Sequence, residues 1–206
     1  VTLVDVLDYA AVFVFALTGA LVASRAQLDI VGFVFLACLT ATGGGTLRDL
    51  ILDRNPFWVR EPEVLMVATG AAVLIFFTAH LAESRYRWLL WLDAVALSVA
   101  VPAGVGVALA TSQSWAIVIL MGVMTGTFGG MLRDVVANEL PLVLKQGELY
   151  LSAAFAGSGA SLVALALGAD RDAALLVAAA VTFGLRAGSM VFGWKLPVYK
   201  SRPPRT

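Results

Sequence analysis

Gly44-Gly45-Thr46-Leu47-Arg48-Asp49 is echoed by Gly129-Gly130-Met131-Leu132-Arg133-Asp134, 85 positions later, and both copies sit in strongly apolar surroundings. Sliding the chain on itself by that offset, without gaps, also pairs Asp8 with Asp93, Gly19 with Gly104, Thr40 with Thr125 and Thr42 with Thr127. Pro56 falls on Pro141 and Glu63 on Glu148. Polar, charged and helix-breaking residues are expensive in hydrocarbon, so their recurrence in register marks a pathway or its scaffold.

The surroundings justify the word hydrocarbon. The 206 residues are 60% hydrophobic and 14% charged, with a mean hydropathy of +0.90, against about 25% charged residues in a soluble domain. Formal net charge is zero, and no basic stripe offers itself to nucleic acid. Cys38 is the single cysteine and His80 the single histidine, which excludes a disulfide framework or a thiolate cluster. His80 is expected at the membrane interface. No cleavable signal peptide is expected, because the first apolar stretch lacks a basic leader and carries Asp5 and Asp8.

A spanning helix needs roughly 20 apolar residues. Seven segments qualify: 4–24, 30–52, 64–82, 88–110, 115–138, 148–168 and 173–194. The fold class is therefore all-α integral membrane. The offset maps the first three spans onto the next three. A unit with an odd number of crossings re-enters the membrane upside down, so the architecture is a 3+3 inverted repeat plus one extra helix. The division expected is 1–87 for the first repeat, 88–170 for the second, and 171–206 for the seventh helix and a basic, exposed tail. Arg25, Arg85, Arg87, Lys145, Lys195, Lys200, Arg202 and Arg205 fall on the face shared with the C-terminus, against Arg54, Arg60 and Arg171 opposite. The positive-inside rule puts the C-terminus in the cytoplasm and the N-terminus outside, in a multi-pass cell-membrane protein. Trp58, Trp88, Trp91, Trp115 and Trp194 sit near span ends, as interfacial belts do.

The glycines carry the chemistry. The second span runs about 13 residues from Ile30 to Gly43-Gly44-Gly45, roughly 20 Å of a roughly 30 Å core. The fifth span meets Gly129-Gly130 in the same way. Consecutive glycines each weaken a helix by about 1 kcal/mol relative to alanine. The expectation is that both helices unwind there, baring carbonyl oxygens toward a wetted path near the midplane. Thr40, Thr42, Thr125 and Thr127 add hydroxyl oxygens. The candidate ion pathway is Thr42, Gly43, Gly44, Gly45, Thr127, Gly129 and Gly130. Arg48, Asp49, Arg133 and Asp134 are candidate gating or ion-pair residues, with Arg48 pairing Asp134 and Arg133 pairing Asp49 across the pseudo-symmetry. Asp8 and Asp93 are read either as helix caps or as a cation-attracting vestibule. Gly19, Pro102 and Gly104 are expected to bend their helices, Gly157 with Ser161 to pack closely, and Arg186 to need an anionic or carbonyl partner. No nucleophile triad, metal cluster or phosphate loop is present: Gly43-Gly44-Gly45-Thr46 lacks the Walker lysine. Neither catalysis nor a cofactor is expected.

These features together resemble the trimeric intracellular cation (TRIC) channels, specifically their prokaryotic branch, whose relatives have also been labelled glycine transporters. The resemblance spans all seven helices and rests on the doubled Gly-Gly-x-Leu-Arg-Asp motif. It implies a homotrimer in membrane lipid, each subunit carrying its own hourglass pore for monovalent cations, chiefly potassium. It also implies that kinked second and fifth helices line the pore at Gly43, Gly44, Gly45, Gly129 and Gly130. No soluble substrate is required. The Lys-Glu-Val lipid motif of animal members is absent from this chain. A secondary transporter of a small zwitterion such as glycine is the alternative that the same geometry allows.

Overall fold

A computed structural model describes residues 2–81, 84–145 and 148–197. Eight α-helices occupy the described residues: α1 Leu3–Arg25, α2 Ile30–Ile51, α3 Phe57–Arg60, α4 Glu63–Thr78, α5 Arg85–Ala110, α6 Trp115–Val136, α7 Leu151–Ala166 and α8 Arg171–Phe192. Six elements are long and apolar enough to cross a membrane, and α7 is a shorter apolar helix. The seven expected spans are therefore present, and the brief α3 was not foreseen. Of the basic tail, Lys195–Pro197 is exposed; 198–206 lies outside the described residues.

Local chemistry starts each helix. Thr2 and Asp5 form a reciprocal capping box on α1, with Thr2 N donating to Asp5 Oδ2 at 2.7 Å. Asp29 caps α2 by accepting from Gly32 N at 2.8 Å, and Asp170 caps α8 by accepting from Ala173 N at 2.8 Å. Each satisfies an amide that the helix leaves open. The repeat persists to the turns. Gln27 and Ser112 leave α1 and α5 at φ 53° and 55°, while Asp53 and Asn138 leave α2 and α6 at φ 53° and 56°. Asp53 and Asn138 are of the residue types that tolerate that left-handed conformation best.

The inverted repeat relates α1, α2 and α4 to α5, α6 and α7. Helices α1 and α5 pack against one another at the centre, α2 crosses α6, and α8 lies on α5 and α7. Small residues line the central contacts: Ala16, Ala20 and Ala23 of α1 and Ala96, Ala100 and Ala103 of α5 are fully buried. Pro102 is accommodated inside α5, whose helical run is unbroken.

Both glycine-rich helices are continuous. Helix α2 runs through Gly43-Gly44-Gly45 and α6 through Gly129-Gly130 without a break, so the expected unwinding is corrected. Packing overrides propensity here. A Cβ on Gly44 would collide with the carbonyl oxygen of Thr125, and one on Gly129 with the carbonyl oxygen of Thr40. Gly19 and Gly104 do the same for the flanking helices: a Cβ at either would lie 2.5 Å from the carbonyl oxygen of Leu36 or Met121. The glycines are required because backbone meets backbone.

Candidate functional site

Beyond the Gly44–Gly129 crossing, α2 and α6 run in opposite directions. Arg48 and Arg133, one turn past their glycines, therefore lie about 12 Å apart along the bundle, on opposite sides of the crossing. Cross-pairing over that distance does not occur, and the expected Arg48–Asp134 and Arg133–Asp49 bridges are corrected. Each arginine pairs within its own repeat. Arg48 donates through Nη1 to Asp8 at 2.8 Å and through Nε to Asp49 at 2.9 Å. Arg133 donates through Nη1 to Asp93 at 2.9 Å and through Nε to Asp134 at 2.8 Å. The second oxygen of Asp49 accepts from Phe57 N, and that of Asp134 from Leu142 N, both at 2.8 Å. Pro56 and Pro141, immediately before these amides, hold an extended conformation (ψ 134°) that turns the chain back onto the carboxylate.

Two carboxylates around each fully buried guanidinium give each cluster a formal charge of −1. Removing the arginine from such a cluster costs about 3–5 kcal/mol, because two carboxylates are then left without a counter-charge in low dielectric. Asp8 and Asp93 are thus ion-pair partners of arginine, and both lie inside their helices beyond the capping positions.

The two clusters differ in access to water. The Asp8 side chain is 20% exposed, whereas Asp93 is fully buried. Above Asp8 a cavity of about 90 Å³ is lined by Asp5, Tyr9, Arg54, Phe57, Arg60 and Glu61. It adjoins a larger mouth of about 460 Å³ between the N-termini of α1 and α8, where Arg54, Arg171 and Asp172 sit. Arg171 is tied there to the carbonyl of Gly106. Below Asp8 the space narrows to about 10 Å³ among Phe15, Thr40, Gly44, Gly45, Phe57 and Thr125, room for about one water. The oxygens at this waist are specific. Thr40 Oγ1 donates to Leu36 O at 2.6 Å and keeps its lone pairs, while buried Thr125 Oγ1 has no protein partner.

Past the waist the second cluster is closed. Arg133 Nη1 also donates to Thr18 Oγ1 at 2.8 Å, and the repeat equivalent of Thr18 is Ala103. Tyr150 is buried beside it; its equivalent is Leu65. At the rim, Arg25 pairs with Glu139 at 3.2 Å. Lys145 Nζ donates to Tyr86 Oη at 2.6 Å, and the Tyr86 ring also meets the Arg25 guanidinium at 5.0 Å.

A family profile described as Glycine transporter matches the chain twice, over residues 5–80 and 90–167. A TRIC trimeric intracellular cation channel orthologue from Rhodobacter sphaeroides superposes with a TM-score of 0.90 at 47% identity, over 94% of this chain and 100% of that one. The chain belongs to the prokaryotic branch of the TRIC family. A second TRIC cation channel structure matches with a TM-score of 0.85 at 30% identity, over 97% of this chain and 98% of that one. Among curated relatives, a UPF0126 membrane protein of Vibrio cholerae is 36% identical over 96% of this chain and 83% of its own length. The UPF0126 inner membrane protein YadS of Escherichia coli K12 is 36% identical over 94% of each.

Within this TRIC fold, Gly44 and Gly45 border the waist. Gly43 faces Leu132 and Gly129, Gly129 faces the Thr40 carbonyl, and Gly130 faces Asp93, Arg133 and Tyr150. Thr42 and Thr127 return their hydroxyls to the carbonyls of Cys38 and Val123, at 2.8 and 2.9 Å. Sequence reasoning missed Phe15, Phe57, Tyr9 and Glu61. A signal existed for Phe57, which follows the recurrent proline and stands in register with Leu142. Arg186 finds the acid it needs in Glu148, at 2.7 Å.

Proposed function

We propose that this chain is a passive channel for monovalent cations, chiefly potassium, with one pathway in each subunit of a homotrimer. The observation that carries this reading is the graded space running from the broad mouth, past Asp5, Glu61 and Asp8, to the single-water waist at Thr40 and Thr125. Carboxylates raise the local cation concentration at a confined entrance, and threonine oxygens replace part of a cation's hydration at the narrowest point. The pathway includes Gly44 and Gly45, with Gly43, Gly129 and Gly130 supporting its wall. Arg48 and Arg133, each held by two acids, act as charged elements beside it. Its relatives' description as TRIC cation channels supports the same function, as does their description as trimeric for the assembly. We orient the Arg25–Lys145 rim toward the cytoplasm and the Arg54–Arg171 mouth outward, following the excess of basic residues on the former face.

The test is reconstitution of the purified protein into planar bilayers under a potassium gradient. Unitary currents that reverse near the potassium equilibrium potential are expected. A silent membrane across the voltage range overturns the proposal.

A second reading, transport of a small zwitterion such as glycine, is favoured by one observation. The 90 Å³ cavity sets Asp8 and Glu61 among Arg48, Arg54 and Arg60, so a carboxylate and an ammonium would both find partners. Saturable glycine uptake into liposomes without ionic current would select this reading.

A further inference from the structure

Helix α8 has no counterpart in the repeat, and its C-terminal half holds the segment beside the closed cluster. Arg186, fully buried, donates through Nη1 to Glu148 Oε2 at 2.7 Å. Its guanidinium stacks on the ring of Tyr150 at 5.0 Å. One turn on, Ser189 Oγ accepts from Leu149 N at 3.1 Å. Three consecutive residues, Glu148, Leu149 and Tyr150, are thus each held by α8. The Tyr150 hydroxyl borders the same space as the ion pair: a Cβ on Gly130 would lie 3.5 Å from the Tyr150 hydroxyl, from Asp93 Oδ1 and from Arg133 Nη2 alike. These polar groups converge on the space that Gly130 leaves. Asp93 Oδ2 and Arg133 Nη2 have no hydrogen-bond partner, and the Tyr150 phenol is a polar group beside the same space.

The first repeat lacks this apparatus. Glu63, equivalent to Glu148, is exposed and forms no ion pair among the described residues. Leu65 stands where Tyr150 would be. There the equivalent ion pair opens to the cavity of about 90 Å³ beside Asp8. The asymmetry between two otherwise equivalent halves therefore coincides with contact by the extra helix.

We propose that α8 is the lock of the inner half of the pathway: Arg186 is a positioning residue that, through Glu148 and Tyr150, holds Arg133 and Asp93 shut. This inference rests on the channel reading above. Releasing Tyr150 would let water reach Asp93 as it already reaches Asp8, making the two halves alike.

The experiment has an electrical arm and a chemical arm. Arg186→Gln and Tyr150→Phe are recorded in planar bilayers; the latter keeps the ring and removes only the hydroxyl, so it remains informative if the former folds poorly. In parallel, Ala154→Cys, beside Tyr150 in the core, is introduced with Cys38→Ser and exposed to a water-soluble methanethiosulfonate. We expect the open-to-closed ratio to rise at least about tenfold, the factor associated with one charge-assisted hydrogen bond, at unchanged unitary conductance. Thiol labelling accelerates in step, and the exchange Glu148→Arg with Arg186→Glu returns both readings toward wild type. A conducting wild type whose variants change neither open probability nor labelling overturns the lock and leaves the channel reading standing. Accelerated labelling with no current from any variant keeps the lock and removes the channel. Unchanged labelling with no current removes both.

Discussion

The carbonyl oxygen of Thr125 occupies the place where a side chain on Gly44 would have to stand. Its repeat partner, Thr40, does the same to Gly129. This reciprocal contact fixes how closely α2 and α6 approach, and with it the width of the waist.

Alanine at Gly44 or Gly129 therefore forces the two helices apart. Each substitution is expected to cost about 1–3 kcal/mol, the usual penalty for overpacking, read as a lower melting temperature in detergent. Gly70 and Gly159 have nothing within 4 Å of a built Cβ. Alanine there should gain about 0.5–1 kcal/mol from helix propensity. Equal losses at all four positions would contradict the packing account.

Equivalent acids should have unequal effects. Asp93→Asn leaves Arg133 paired with Asp134 but weakens a fully buried charge-assisted hydrogen bond, and is expected to cost about 1.5–3 kcal/mol. Asp8→Asn should cost less, because its side chain already meets water. Chemical or thermal unfolding of the two variants side by side checks the ranking.

Thr125→Val removes a buried hydroxyl that has no protein partner. Stability should hold or rise, since an unsatisfied polar group is removed at nearly constant shape. Unitary conductance should fall, because the waist loses an oxygen. A drop in stability with conductance intact would place Thr125 outside the pathway.

Glu61→Gln removes one of the three carboxylates that face Arg48, Arg54 and Arg60 in the outer cavity. Conductance should drop in about 0.1 M salt, where charges act over about 10 Å, and return to the wild-type value in about 1 M salt, where they act over about 3 Å. A deficit that persists in high salt would mean that Glu61 shapes the cavity sterically.

Much of this arrangement was legible in the amino-acid order. The register of Asp8 with Asp93 and of Arg48 with Arg133 marked these four positions as constrained, since polar residues recur in hydrocarbon only under constraint, but it did not show that each acid pairs with the arginine of its own half. Their partners were misjudged for a reason of geometry. Antiparallel helices carry equivalent residues away from the crossing in opposite directions, so pairing stays within a repeat, and both acids lie 40 positions before their arginines.

The glycines misled because propensity and packing give them the same signature. A low helix preference at Gly43-Gly44-Gly45 reads as a break until the carbonyl of Thr125 is seen pressing on the chain. The unequal exposure of the halves was written in two substitutions, Ala103 for Thr18 and Tyr150 for Leu65. Their weight became evident only when Arg186 and Ser189 of α8 were found to hold the segment that bears Tyr150.

The Gly44–Thr125 and Gly129–Thr40 seats are each other's mirror in role, so the joint is self-complementary. A peptide encoding one half alone, inserted in both orientations, would offer an upside-down twin the same handshake. Fusing two such copies into one gene would preserve the joint while freeing each half to diverge, and the tyrosine beside Arg133 is what that freedom looks like in a single chain.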